Sequence, residues 1–201
     1  VEFCKKMWEL GEDDEYLFDF NNLQFTEPFT LAYLSIEMKR FAKQRTGQCR
    51  AQRFEHLTYQ SHMGFFRAFG LPHGKEPGEA TGSSTYLPIT ILSIEELKDE
   101  AYEKGYEIGD LLERKAEKIA EILTRQSSNE LVETLTFSIR EILRNVVEHS
   151  DSKIIEYCAQ YWPTKYLVEV AIFDTGIGIM NGLSTNPFLE IENERDAIHM
   201  A

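Results

Sequence analysis

Two short stretches of the chain carry polar side chains at spacings that suit phosphate chemistry. Glu141 and Asn145 lie four residues apart in a region of helical periodicity, so a carboxylate and an amide oxygen project side by side from one helix face. An amide oxygen can serve as a single ligand of Mg²⁺, which takes its other ligands from water and phosphate, and a carboxylate can orient or deprotonate a nucleophile. Taken alone, the same spacing also fits the polar rim of an ordinary amphipathic helix.

The second stretch follows an apolar run and consists of Asp174, Gly176 and Gly178. It places a carboxylate at the base of a tight loop whose backbone can approach a ligand closely. A turn with convenient glycines is the alternative. Because only two predicted strands separate this loop from the helix that carries Glu141, the two stretches together favour a functional role over a chance turn.

The apolar pattern predicts the elements that position these residues. Ser128 is expected to cap a helix that runs to about His149, and the strands that follow, at 153–161 and 166–173, are expected to form an antiparallel hairpin. The helix has a stripe of apolar side chains at helical spacing, which predicts its buried face. Its members are Leu131, Leu135, Ile139, Ile142, Leu143 and Val146.

These residues resemble the histidine-kinase-like (GHKL) ATPase superfamily. The stretch SIREILRNVVEHS at 138–150 looks like that family's N-box, and VAIFDTGIGI at 170–179 looks like its first glycine box. The resemblance implies that Asn145 binds an Mg²⁺ ion bridging the phosphates of ATP and that Glu141 is the catalytic base. It also implies that Asp174 accepts a hydrogen bond from the adenine amino group.

The resemblance covers about residues 127–200, and helix, hairpin and glycine loop follow the family's order. It implies that Gly176 and Gly178 shape the nucleotide pocket and that His149 lies near the phosphates. For His149 the alternative is a plain histidine at a helix C-terminus. The family's lid, second glycine box and later strands have no counterpart up to residue 201. We therefore expect an incomplete domain in which the ATP site is only partly encoded.

An upstream region resembles the STAS domains of anti-sigma-factor antagonists. FDFNNLQFTEPFTLAYLSIEMKR at 18–40 looks like their strand–turn–helix, and GFFRAFGL at 64–71 resembles the end of a later helix. The pattern predicts strands at 16–20 and 51–55, and helices from Pro28 to about Gln44 and at 59–69.

The antagonists of that family carry a phosphorylated Ser or Thr at the start of the helix. Phe29 occupies the corresponding position in this chain, with Thr26 and Thr30 as the nearest substitutes. The resemblance therefore implies a domain that serves protein contacts without this phosphorylation switch.

A shift in composition predicts the domain boundary. Prolines and glycines are concentrated at 71–84, so we expect a STAS-like regulatory domain at 1–72, a linker at 73–85 and an ATPase-type domain at 86–201. The fold class expected is α+β: a small STAS-like α/β domain followed by an incomplete two-layer α/β sandwich of the histidine-kinase-like type. The second domain should open with a strand at 86–92 and a long helical region that glycines weaken.

Charge and composition exclude several classes of function. With 34 acidic and 21 basic residues among 201, the formal charge is −13, which disfavours binding to nucleic acid or anionic membranes. No uncharged apolar run approaches the ~20 residues that span a bilayer. The cysteines, Cys4, Cys49 and Cys158, are too widely spaced for a disulfide framework or a thiolate zinc site, which favours a cytoplasmic location.

Together these observations predict an ATP-binding regulatory protein in signalling, in which ATP or ADP, Mg²⁺ and a regulatory protein are the partners and hydrolysis is slow or partner-dependent. A homodimer is compatible with the sequence. An anti-sigma-factor-like protein serine kinase and a nucleotide-free interaction scaffold are the alternatives. A sensor histidine kinase is not supported, because none of the five histidines stands in a phosphoacceptor pattern.

Overall fold

The computed structural model describes residues 2–82, 85–125, 128–184, 186 and 188–200. Ser83 and Ser84 of the predicted linker, Ser127 at the start of the histidine-kinase-like resemblance, and the terminal residues 1 and 201 lie outside the described residues. Helices and two small sheets make up the described chain, which is a mixed α+β protein as the sequence predicts at that level. Within the described residues no helix is both long and apolar enough to cross a membrane.

The chain divides into two compact units. Unit 1 comprises Val1–Thr90 and Tyr157–Ala171, and unit 2 comprises Ile91–Glu156 and Ile172–Ala201, so the predicted linker 73–85 falls in unit 1. In chain order the elements are α1 (Glu2–Trp8), β1 (Glu15–Asp19), α2 (Pro28–Gln44), β2 (Gln48–Gln52), α3 (Thr58–His62), α4 (Phe65–Ala68), β3 (Tyr86–Ser93), α5 (Ile94–Lys104), α6 (Ile108–Thr124), α7 (Asn129–His149), β4 (Ile154–Trp162), β5 (Leu167–Asp174), α8 (Gly178–Ser184) and α9 (Glu194–Met200).

Unit 1 is organised around the helix α2. The strand β1 precedes this helix in the chain and β2 follows it. The two strands pair in parallel, with Tyr16 opposite Cys49. Phe41 of α2 is fully buried and makes edge-to-face contacts with Trp8, Tyr16 and Phe18. Such ring pairs add specific contact energy to the burial of apolar surface. The predicted helix from Pro28 to Gln44 is confirmed, with proline in its first turn, where the missing N–H costs nothing.

Two local predictions in unit 1 are wrong. The single helix expected at 59–69 is broken into α3 and α4, because Gly64 adopts a left-handed conformation with φ 84°. The strand expected at 51–55 begins earlier, at Gln48, where the parallel ladder with β1 starts.

Unit 2 is built on the packing of α6 against α7. Both helices α5 and α7 begin at serine caps: Ser93 Oγ accepts a hydrogen bond from the amide of Glu96 at 3.3 Å, and Ser128 Oγ accepts one from the amide of Leu131 at 3.2 Å. The long helical region ends its first part at Gly105, which is left-handed with φ 67°. The Ser128 cap lies where the sequence predicts it, and the break at Gly105 falls in the helical region that glycines are predicted to weaken.

The predicted buried stripe of α7 is only partly correct. Ile139, Leu143 and Val146 are buried, whereas Leu131 is 42% exposed and Ile142 is 47% exposed. On a helical wheel the buried residues cover a narrow arc, and Ile142 lies outside that arc. It is about 40° from Val146, the nearest buried residue, and about 100° from Leu143, the farthest. Packing against α6 therefore uses one side of the stripe and leaves the other side at the surface.

The strands β3, β4 and β5 form a sheet with β4 in the centre, and residues of this sheet belong to both units. Hydrogen bonds at the two ends of β3, from Tyr161 N to Thr85 O at 2.7 Å and from Ile94 N to Lys153 O at 3.0 Å, show that β3 and β4 are antiparallel. A turn of four residues joins β4 to its neighbour β5, which confirms the predicted hairpin. The last residue of β5 is Asp174.

Candidate functional site

The helix α7 carries three of the predicted site residues on its solvent side. The side chain of Glu141 is 38% exposed and that of His149 is 72% exposed, and Asn145 between them is also exposed. Because their spacing is four residues, successive members lie about 40° apart around the helix. All three are accessible to a ligand from solvent.

The carboxylate of Glu141 is held by an arginine on the same helix. Arg140 donates to Glu141 Oε1 through Nε at 3.1 Å and through Nη2 at 2.9 Å. Neighbouring helical residues such as Arg140 and Glu141 project about 100° apart, and the sequence gives no sign of this ion pair. The carboxylate is therefore drawn toward Arg140 in this structure.

The loop after β5 carries the second group of predicted site residues. Asp174 is exposed, and its Oδ1 accepts a hydrogen bond from the amide of Gly176 at 2.7 Å, which forms a tight turn. Gly178, the first residue of α8, has φ 76°, a conformation that L-residues with a side chain rarely adopt. The turn presents the carboxylate of Asp174 to solvent at the strand end.

The structure brings this loop against the C-terminal end of α7. The amide of Ile177 donates to the carbonyl oxygen of Ser150 at 2.7 Å, and a Cβ added to Gly176 would lie 1.9 Å from that same oxygen. The amide of Thr175 donates to Ser152 Oγ at 3.1 Å. The residue pattern alone does not reveal Ser150 and Ser152 as the anchors of the loop, because both contacts depend on how the hairpin returns the chain to the helix.

Asn145 is the candidate ligand for Mg²⁺ among the predicted site residues. Among the described residues no group of three or more His, Cys, Asp or Glu side chains could hold a metal ion. Asn145 supplies one neutral oxygen, and Mg²⁺ bound through so few protein ligands completes its octahedron with phosphate oxygens and water.

A cavity of about 360 Å³ in unit 2 lies away from these residues, between α5 and α6. Glu100 in its wall bonds to Lys104 at 2.6 Å and to Lys115 at 2.8 Å. These two hydrogen bonds lower the pKa of Glu100 to about 2. Cations and carboxylates both line the cavity, and it includes none of the predicted site residues.

In unit 1, the residues that the sequence analysis compares with a phosphoacceptor have structural contacts. The amide of Phe29 donates to Glu169 Oε1 of β5 at 2.8 Å, so a carboxylate caps the start of α2. Thr26 is 5% exposed and lies 3.4 Å from Gln60 Nε2. Thr26 is therefore shielded from a modifying enzyme in this conformation, while Thr30 is half-buried.

Comparison of the chain with protein-family models, with curated proteins and with solved structures gave no match. The two family resemblances therefore rest on the motifs of the sequence.

The close approach at Gly176 generates a prediction. Replacing Gly176 with alanine forces a Cβ against the carbonyl of Ser150, so we expect a loss of about 1–3 kcal/mol in the free energy of unfolding. Thermal unfolding should show this as a fall in the midpoint of roughly 2–12 °C. Gly109→Ala is the control, because nothing lies within 4 Å of the added Cβ. Equal midpoints for the two variants would show that the loop does not pack on Ser150.

Proposed function

We propose that the chain is an ATP-binding regulatory protein, with a histidine-kinase-like ATPase domain coupled to a STAS-like protein-interaction domain. The observation that carries the proposal is the junction between Ser150 and the loop 174–178. It joins the C-terminal end of the helix that carries Glu141, Asn145 and His149 to the loop that carries Asp174, and this supports a single nucleotide site. Hydrolysis of ATP is slow or dependent on a partner.

Asp174 recognises the adenine ring in this proposal. Its Oδ1 already accepts from the amide of Gly176, so the turn fixes the direction of the carboxylate. The other oxygen then accepts the adenine amino N–H in a hydrogen bond to a charged group, which is stronger than one to a neutral group. Gly176 and Gly178 keep this edge free of side chains.

The phosphates lie toward α7 in this proposal. Asn145 provides its amide oxygen to the Mg²⁺ ion that accompanies ATP, and His149 lies one turn further along the helix. When bound, Mg²⁺ supplies charge neutralisation of the phosphate oxygens. Both residues are exposed and need no large rearrangement to reach an approaching nucleotide.

Glu141 acts as the general base. Its carboxylate takes a proton from a water molecule as the water oxygen bonds to the γ-phosphorus, and the bond from that phosphorus to the bridging oxygen breaks with its electrons leaving on ADP. Positioning and proton transfer of this kind contribute typically ~10²–10⁴-fold to a rate.

The STAS-like domain provides the regulatory partner surface. Phe29 at the phosphoacceptor position, and Glu169 on its amide, indicate a surface that is not switched by phosphorylation there. Incubation with labelled ATP and candidate partners separates the functions. Phosphate released to solution supports the ATPase, phosphate on a protein supports a serine kinase, and neither supports a nucleotide-free scaffold.

Asp174→Asn tests the recognition of adenine. Asparagine retains one oxygen for the amide of Gly176 but places an NH₂ group where the second carboxylate oxygen was. The negative charge and the acceptor for the adenine amino group are both lost, which weakens binding by about 1.5–3 kcal/mol. Isothermal titration with Mg²⁺-ADP should show affinity reduced roughly 10- to 150-fold. Asp151→Asn, an exposed residue close to the loop, is the matched change of charge and should bind as the parent does. Equal affinities for both variants would remove Asp174 from the site.

Glu141→Ala tests the assignment of Glu141 as the general base. We expect nucleotide binding to be retained and the steady-state rate of ATP hydrolysis to fall at least ~100-fold. Glu133→Ala, an exposed carboxylate on the same helix, should leave the rate unchanged. If Glu141→Ala hydrolyses ATP at the parent rate, Glu141 is not the base.

A further inference from the structure

The side chain of Arg140 is fixed by contacts on three sides. In addition to its two hydrogen bonds to Glu141 Oε1, its Nη1 lies 3.6 Å from Glu113 Oε2 of α6. Its guanidinium lies 5.1 Å from the centre of the Phe137 ring. The side chain is 28% exposed. A planar cation with two carboxylates and a ring around it has little freedom to move.

The pair between Arg140 and Glu141 requires an unusual orientation of the carboxylate. Neighbouring residues on a helix project about 100° apart and do not normally face each other. On a helical wheel Arg140 lies on one side of Glu141 and Asn145 on the other, so a carboxylate that is bonded to Arg140 is drawn away from Asn145. The contact of Arg140 with Glu113 places this side of the helix toward α6.

We infer that Arg140 is a positioning residue that restrains Glu141 in an unproductive orientation and keeps the basal rate of hydrolysis low. The inference rests on the proposed function, because it concerns the base of that same reaction. Turnover requires the carboxylate to leave Arg140 and swing toward Asn145. A partner that draws Arg140 away, through a carboxylate of its own, accelerates hydrolysis without touching the nucleotide.

Arg140→Gln tests this restraint. The variant frees Glu141, and because a partly exposed ion pair of this kind is weak, kcat for Mg²⁺-ATP should rise about two- to fivefold. KM should stay unchanged, since no contact to the nucleotide is lost. Arg140→Lys keeps a charge but not the two-nitrogen contact, so its kcat should lie between those of Arg140→Gln and the parent.

Arg144→Gln is the matched control. Arg144 lies one turn further along α7 and pairs with Glu148 at 2.8 Å, so the substitution removes an equivalent ion pair from the same helix. Both kcat and KM should remain those of the parent. A double variant, Arg140→Gln with Glu141→Ala, should lose the gain in kcat, because the gain acts through Glu141.

The shift of the unfolding midpoint with Mg²⁺-ADP is measured on the parent and on each variant, which separates the two levels of the account. No shift in the parent would refute the proposed function and the restraint with it. If the parent shows the shift but Arg140→Gln has a kcat at or below that of the parent, the restraint alone is refuted. The same holds if neither protein turns over ATP. A rise in kcat that Arg144→Gln reproduces would also refute it.

Discussion

The candidate site depends on the contact between the carbonyl oxygen of Ser150 and the loop after β5. This oxygen stands at the end of α7 and accepts the amide of Ile177 at 2.7 Å, and its proximity leaves no space for a side chain at residue 176. One backbone group therefore fixes the glycine loop to the helix end. Without this contact, the polar face of α7 and the carboxylate of Asp174 would be two unrelated surface features. Ser152 strengthens the junction through the amide of Thr175.

Charges near α7 determine what the site can do at rest. Arg140 holds the carboxylate of Glu141 at 2.9 Å and 3.1 Å, and it also approaches Glu113 of α6. The packing of α6 on α7, which buries Leu143, brings Glu113 near enough for this network. The same packing that stabilises unit 2 therefore affects the orientation of the proposed base. This relation connects the fold of unit 2 to the control of the proposed hydrolysis.

The sequence predicts the features that depend on neighbouring residues along the chain. The serine cap at Ser128 and the proline start of α2 are local, and they are found where predicted. Features set by packing were not predictable in this way. Ile142 belongs to the apolar stripe but is exposed, because α6 covers only one side of that stripe. The bond between Arg140 and Glu141 contradicts the ordinary expectation for adjacent helical residues, and no sequence pattern indicates the Ser150 contact.

The central claim is that the end of α7 and the loop after β5 bind one adenine nucleotide, and hydrogen–deuterium exchange with and without Mg²⁺-ADP tests it directly. The account predicts slower exchange in peptides from both segments, 141–150 and 174–182, with Mg²⁺-GDP as a control that gives less protection because Asp174 recognises the adenine amino group. Slower exchange confined to the wall of the cavity between α5 and α6, or unchanged exchange in both segments at a saturating nucleotide concentration, would contradict the account.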